Sequence, residues 1–254
     1  MFGRNSVRCG IVVGAALLLA SGVATAQTFV ISSNFDADIP GSPPATGGPN
    51  EPSGVINGGV LVQAVSNGIS TQPLEVDDGS CNQGYYGGVY YTLPTPVTAG
   101  GLRVEAIVAV NQLTDGVIFD TWISFMSTSV VRLRIISNGT IADHFGTVVS
   151  SYAADTPLGF RADIDMASMS WACTIDDELN GFSDDPVVSG LPFINPPSII
   201  SQIDTVYLGI FGSFNACSGS RVVAYDDVTI FDFPPIFIDG FETGDTTRWT
   251  ATVP

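Results

Sequence analysis

Lysine is absent from this 254-residue chain, and histidine occurs once, at His144. Without lysine there is no Schiff-base chemistry. One imidazole and no Cys/His cluster argue against a zinc centre of the usual ligand set. Cations are scarce altogether: arginine alone supplies positive charge, and the formal net charge is −17. Such a surface repels nucleic acid and anionic membranes, because phosphate contacts need clustered Lys and Arg. Glutamate is limited to Glu51, Glu75, Glu105, Glu178 and Glu242. None stands in the Glu-x-Asp-x-x-Glu spacing that would line three carboxylates along one strand face for glycoside hydrolysis. No G-x-S-x-G nucleophile motif occurs, so serine hydrolysis lacks its hallmark. His144, beside Asp143 in TIADHFGT, reads as a structural or surface residue. No segment sustains helical periodicity; Pro197–Ile203 could form one short turn.

The N-terminus has the pattern of an export leader. Arg4 and Arg8 precede an apolar run from Ile11 to Ala20, and Ala24-Thr25-Ala26 is an A-x-A cleavage signal. The expected organisation is a signal peptide over 1–26, a β domain over 27–233 and a tail over 234–254. The apolar run is too short to span a bilayer, and no later stretch is long enough. The mature protein is therefore expected to be secreted, periplasmic or at the cell surface. Its acidic side chains, mostly Asp, suit a soluble extracellular surface; some could hold Ca²⁺, which takes oxygen ligands.

Strand signals fill the middle of the chain: short alternating runs rich in Val, Ile, Thr and aromatics, broken by Gly, Pro, Asn and Asp. The clearest are Thr28–Ser32, Val60–Ala64, Gly88–Tyr91, Leu102–Val110, Asp120–Met126, Val131–Ser137, Phe160–Met166, Ser170–Asp176, Thr205–Phe211 and Arg221–Phe231. Asn138-Gly139 predicts a two-residue hairpin turn. The stretches Pro40–Ser53 and Asn180–Pro197 read as loops. This pattern predicts an all-β fold, an antiparallel β-sandwich.

In chain order, NFDADIPGSPP, GGLRVEAIVAV, RLRIISNGTI, PLGFRADIDMASMSWACTIDDE, IDTVYLGIFG and YDDVTIF resemble the concanavalin A-like lectin/glucanase superfamily in its laminin-G-like jelly-roll form. The resemblance covers most of the mature chain and rests on the order of the motifs. It implies a jelly-roll sandwich and a carbohydrate or other surface ligand. It also implies a structural ion, since related jelly rolls share one between an acid near the first strand and an Asp of the last. The matching positions are Asp36 and Asp226. Asp226 has the parity of Val228 and Ile230, which predicts an inward side chain, satisfied either by a cation or by backbone N–H groups. The tail FIDGFETGDTTRWT is similar to a short DGFE-type motif at the C-termini of exported bacterial proteins; it reads as a sorting signal or as an extra edge strand.

Candidate binding residues follow from the chemistry of sugars, whose rings stack on aromatic faces while their hydroxyls bond Asp, Asn and Gln. Tyr85, Tyr86 and Trp122 are the candidate stacking rings, with Asp77, Asp78 and Asn82 as polar partners. Alternation places one of each adjacent Tyr pair inside. Asp163 and Asp165 share a strand face with Arg161 and read as a solvated face rather than a catalytic dyad. Among the cysteines that remain after cleavage, Cys81 and Cys217 lie in polar, glycine-rich loops and form the expected disulfide. Cys173 follows Trp171 on an alternating strand, as a buried thiol would. The function expected is that of an exported, non-catalytic sandwich that binds glycan or another extracellular ligand. The alternatives are a structural or adhesive envelope protein and, less favoured, a diverged glycoside hydrolase or lyase.

Overall fold

In a computed structural model of the chain, residues 29–57, 59–79, 86–212 and 219–233 are described. All of their regular structure is β. One sheet has seven strands in the order β10 (Val148–Ser151), β9 (Thr140–Asp143), β8 (Ser129–Ile136), β7 (Gly116–Trp122), β14 (Ile203–Phe211), β5 (Tyr86–Val97) and β2 (Gly54–Ile56). The other runs β13 (Val187–Pro192), β12 (Ser170–Asp176), β11 (Leu158–Asp165), β6 (Gly101–Val110), β15 (Val222–Phe233), β4 (Leu74–Asp77) and β3 (Val60–Val62). An eighth strand, β1 (Val30–Ser33), pairs with the second half of β15. Every pairing is antiparallel. The predicted antiparallel sandwich is the observed architecture.

Alternation builds the core. Along β11, Phe160, Ala162 and Ile164 are buried, while Arg161, Asp163 and Asp165 face outward. Phe160 meets Phe119 of β7 across the sandwich, with ring centroids 5.4 Å apart. Tyr225 of β15 spans the same gap. Its hydroxyl lies 2.6 Å from the Ile118 carbonyl and 2.7 Å from that of Gly209. The β14–β7 register shifts between Leu208 and Phe211, so the tyrosine occupies the break in the ladder and satisfies backbone groups that burial would otherwise strand. The Asp163–Asp165 face is held by cross-strand ion pairs, Arg103–Asp163 at 2.5 Å and Arg161–Glu105 at 2.7 Å.

Three local expectations are revised. Asn138-Gly139 belongs to a three-residue connection, because β8 ends at Ile136 and β9 starts at Thr140. Only Gly139 of the three is left-handed (φ 84°); a two-residue type I′ turn would need a positive φ at both central residues. Asn180–Pro197 is not all loop, since it contains edge strand β13; the exposed, partly polar VVSGLP lacks the alternation that announces a half-buried strand. The parity of Asp226 is also broken. The β15–β6 register shifts between Asp226 and Thr229, and Asp227 is left-handed (φ 48°). This bulge puts Val228 and Ile230 in the main core, while Asp226, paired with Ile107, faces the opposite side of the sheet. There it lies with Ala224, Ala109 and Ile69 rather than between the sheets.

Candidate ligand-binding face

The outer face of the seven-stranded sheet carries a continuous group of rings. Inward residues of β7 and β14, such as Phe119 and Leu208, fill the core. Alternation then sends Asp120, Trp122 and Tyr207 outward, and β5 adds Tyr86 and Tyr90. Trp122 and Tyr207 form the lower layer, stacked at 5.2 Å and almost fully buried. Tyr86 lies over both, 6.1 Å from Trp122 and 5.2 Å from Tyr207. Phe211 stacks on Tyr86 at 4.6 Å. On the other side Phe125, from the β7–β8 connection, sits 5.8 Å from Trp122 and 4.3 Å from Tyr90. Phe125 is 45% exposed, so the layer ends in open apolar surface.

Glycine lets these rings lie flat on the sheet. A methyl group on Gly54 would collide with the Tyr90 ring, and one on Gly209 with the phenol of Tyr207. The Tyr207 hydroxyl donates to the carbonyl of Gly87 at 2.5 Å, which pins that ring across the β14–β5 pair.

One border of the rings is charged. Asp120 is fully buried. Its Oδ2 accepts from Arg132 Nη2 (2.7 Å) and Nε (3.0 Å) and from Ser129 Oγ (2.9 Å). Its Oδ1 has no hydrogen-bond partner among the described residues. Burial therefore outweighs the stabilising influence of Arg132 and pushes the carboxyl up to about 6. The same burial, reinforced by the Asp120 charge, pushes the Tyr86 phenol well above its usual range. Arg132 lies over Phe211, 4.8 Å from the ring centroid. Arg134 follows two residues later with the same parity and donates to the His144 carbonyl at 3.4 Å. The His144 imidazole is held below its ordinary pKa, first by burial and then by the Arg132 and Arg134 charges.

Of the residues expected to bind ligand, Tyr86 and Trp122 meet here, though Trp122 is a buried support for the outer rings. Asp77 and Asp78 are on or beside β4, in the other sheet. Asp78 is not available to a ligand. Its carboxylate accepts from the Arg221 backbone N–H at 2.9 Å and pairs with the Arg221 guanidinium, and both residues are buried. An acid in a strand-end Asp-Asp pair looks solvated in sequence; its arginine partner lies 143 residues away. Asp77 accepts from Gly79 N at 2.7 Å in a tight turn. Asn82, Tyr85, Cys81 and Cys217 lie outside the described residues, as do the leader and the tail. Sequence reasoning missed Tyr207, Phe211, Phe125, Asp120 and Arg132 as site residues. The shared parity of Asp120 with Trp122 in IFDTW, and of Arg132 with Arg134 in VRLRI, was the available signal.

At the position expected for a cation, Asp226 Oδ1 accepts from its neighbour Asp227 N (2.9 Å) and Oδ2 from Thr71 Oγ1 (2.5 Å). Burial pushes its carboxyl up to about 6, against the hydrogen bonds of Thr71 and Asp227, and the exposed Asp36 is close enough to add to the rise. Among the described residues no three His, Cys, Asp or Glu side chains converge as a metal site. Cys173 is a buried free thiol.

No family model and no curated protein matches the sequence. Solved structures match in fold. Peanut lectin in complex with a nine-residue peptide aligns at a TM-score of 0.50 and 11% identity, over 80% of this chain and 97% of that one. The sandwich has the fold of lectin-like jelly rolls. Alginate lyase A1-II′, of polysaccharide lyase family 7, aligns at 0.49 and 8% identity over 70% and 85% of the two chains. A Trypanosoma rangeli sialidase in complex with sialic acid aligns at 0.44 and 12% identity; the match spans 70% of this chain but only 30% of the sialidase. At these identities the likeness is one of fold, and function rests on the site.

Proposed function

We propose that the protein is an exported jelly-roll module that binds glycan through the outer face of its seven-stranded sheet, without catalysing a reaction. The observation that carries this reading is the layered ring platform: buried Trp122 and Tyr207 support Tyr86, Tyr90, Phe211 and the exposed Phe125, with Arg132 and Asp120 at the border. A pyranose presents an apolar C–H face that packs on such rings, while its hydroxyls need hydrogen-bonding groups at the edge. Exposed apolar surface backed by a rigid layer is also what separates a binding patch from a scattered surface aromatic. The tests are binding of the mature protein to a glycan array and incubation with polysaccharides to look for cleavage. Tyr90→Ala and Phe125→Ala should each weaken binding about tenfold, the worth of one good stacking contact, with the circular dichroism spectrum unchanged. Absence of glycan binding favours the structural or adhesive reading. Polysaccharide cleavage overturns the non-catalytic one.

A further inference from the structure

The ring platform begins on a guanidinium, and this gives one border of it a positive charge. Arg132 covers Phe211, Phe211 stacks on Tyr86, and Tyr86 continues through Trp122 and Phe125 to Tyr90, each step between 4.3 and 6.1 Å. A chain of sugar rings laid along this path would end beside Arg132 and Arg134. The chain as a whole is acidic, with a formal net charge of −17. Its other described arginines are committed elsewhere: Arg103 to Asp163, Arg161 to Glu105 and Arg221 to Asp78. Among the described residues, this face carries the guanidiniums of Arg132 and Arg134 and the outward carboxylate of Asp120. Asp143 is buried and pairs in register with Leu133, so its side chain belongs to the opposite side of the sheet. Its influence at His144 is smaller than that of either arginine. Both arginines thus lower the His144 pKa, and the His144 carbonyl accepts from Arg134 Nη1 at 3.4 Å. The Arg132 side chain, although bonded to Asp120, remains 20% exposed.

Building on the glycan-binding reading, we infer that the ligand is an anionic saccharide, whose sugar rings stack on the platform while its carboxylate or sulfate faces Arg132 and Arg134. A planar, weakly hydrated guanidinium fork binds oxyanions well. An acidic polymer reaching an acidic protein also needs one locally cationic landing area, and this face supplies it.

The experiment is isothermal titration calorimetry of the mature protein with three oligosaccharides of equal length: an oligogalacturonate, a sulfated galacto-oligosaccharide that carries no carboxylate and a neutral galacto-oligosaccharide. The result expected is binding of at least one anionic probe about tenfold or more tighter than the neutral one, as for a charge-assisted hydrogen bond, with affinity falling as salt rises. The uronate and sulfate arms identify which anion is recognised. Arg134→Gln should remove most of that preference; the salt dependence of the unaltered protein tests the same point without a variant. Equal or tighter binding of the neutral probe, independent of salt, overturns the inference and leaves glycan binding standing. If none of the three probes binds and the glycan array is also blank, both fall.

Discussion

Replacing Asp120 by Asn tests the electrostatics of the platform most directly. Asp120 is fully buried, with one carboxylate oxygen bonded to Arg132 and Ser129 and the other without a hydrogen-bond partner among the described residues. Two effects compete: burial penalises the charged form, and the guanidinium favours it. Arg132 is partly open to water and is shared with Ser129 and Phe211, so its attraction is screened. Burial prevails, and the folded-state pKa rises from 3.8 to about 6. A raised carboxyl pKa means that the folded protein binds the proton more tightly than the unfolded chain. The site's stabilising effect is therefore greatest below pH 4, declines between about pH 4 and 6, and is lost above that. A displacement of about two pK units corresponds to about 3 kcal/mol. Asp120→Asn does not titrate, so urea unfolding of both proteins from pH 3.5 to 7.5 isolates the contribution. The wild type should lose about 3 kcal/mol relative to the variant between pH 4 and 7. A difference that stays flat, or that favours the wild type as pH rises, would show that Arg132 holds the carboxylate ionised, and would refute the reasoning.

Asp226→Asn, at the other carboxyl pushed up to about 6, should show the same sign of pH dependence, because the Asn oxygen can still accept from Asp227 N while its amide nitrogen donates to the Thr71 hydroxyl. Trp122→Ala empties the lower ring layer and should cost about 3–5 kcal/mol in urea unfolding; a loss under 1 kcal/mol would mean that the upper rings do not depend on it. A calcium ion between Asp36 and Asp226 is proposed from the jelly-roll resemblance. Added Ca²⁺ should then raise the melting temperature of the wild type but not of Asp226→Asn, and no rise in the wild type removes the ion. We also propose a Cys81–Cys217 disulfide. The Asp77–Val222 pair and the bond from Asp78 N to the Arg221 carbonyl (3.0 Å) bring the flanking chain segments side by side. Peptide mapping without reduction should recover the cross-linked pair, with Cys173 free.

Strand-rich regions were legible wherever one side of a strand is buried and the other wet. Phe160 to Ile164 is such a case, and so is Tyr90-Tyr91, with Tyr91 buried and Tyr90 on the ring face. The outward character of Asp163 and Arg161 was legible for the same reason, although their partners Arg103 and Glu105 were not. β13 escaped notice because an exposed edge strand imposes little pattern on its residues. The bulge at Asp226-Asp227 escaped because one extra residue shifts the parity of everything before it, and no residue type marks the spot.

By itself the sequence determined the fold class, through two-residue alternation and turn residues. By its lack of Lys and its single His, it also excluded whole classes of chemistry. Tertiary structure decided the candidate site. Tyr86, Trp122 and Tyr207 are brought together only because β14 lies between β7 and β5, and strand order depends on long-range pairing that local patterning does not encode. It also decided which charges are spent. Asp78 and Arg221 neutralise each other in the interior, since a buried charge must find a partner. On the ring face, among the described residues, Arg132 and Arg134 lie with the outward carboxylate of Asp120, a balance that no linear reading of a chain with net charge −17 reveals.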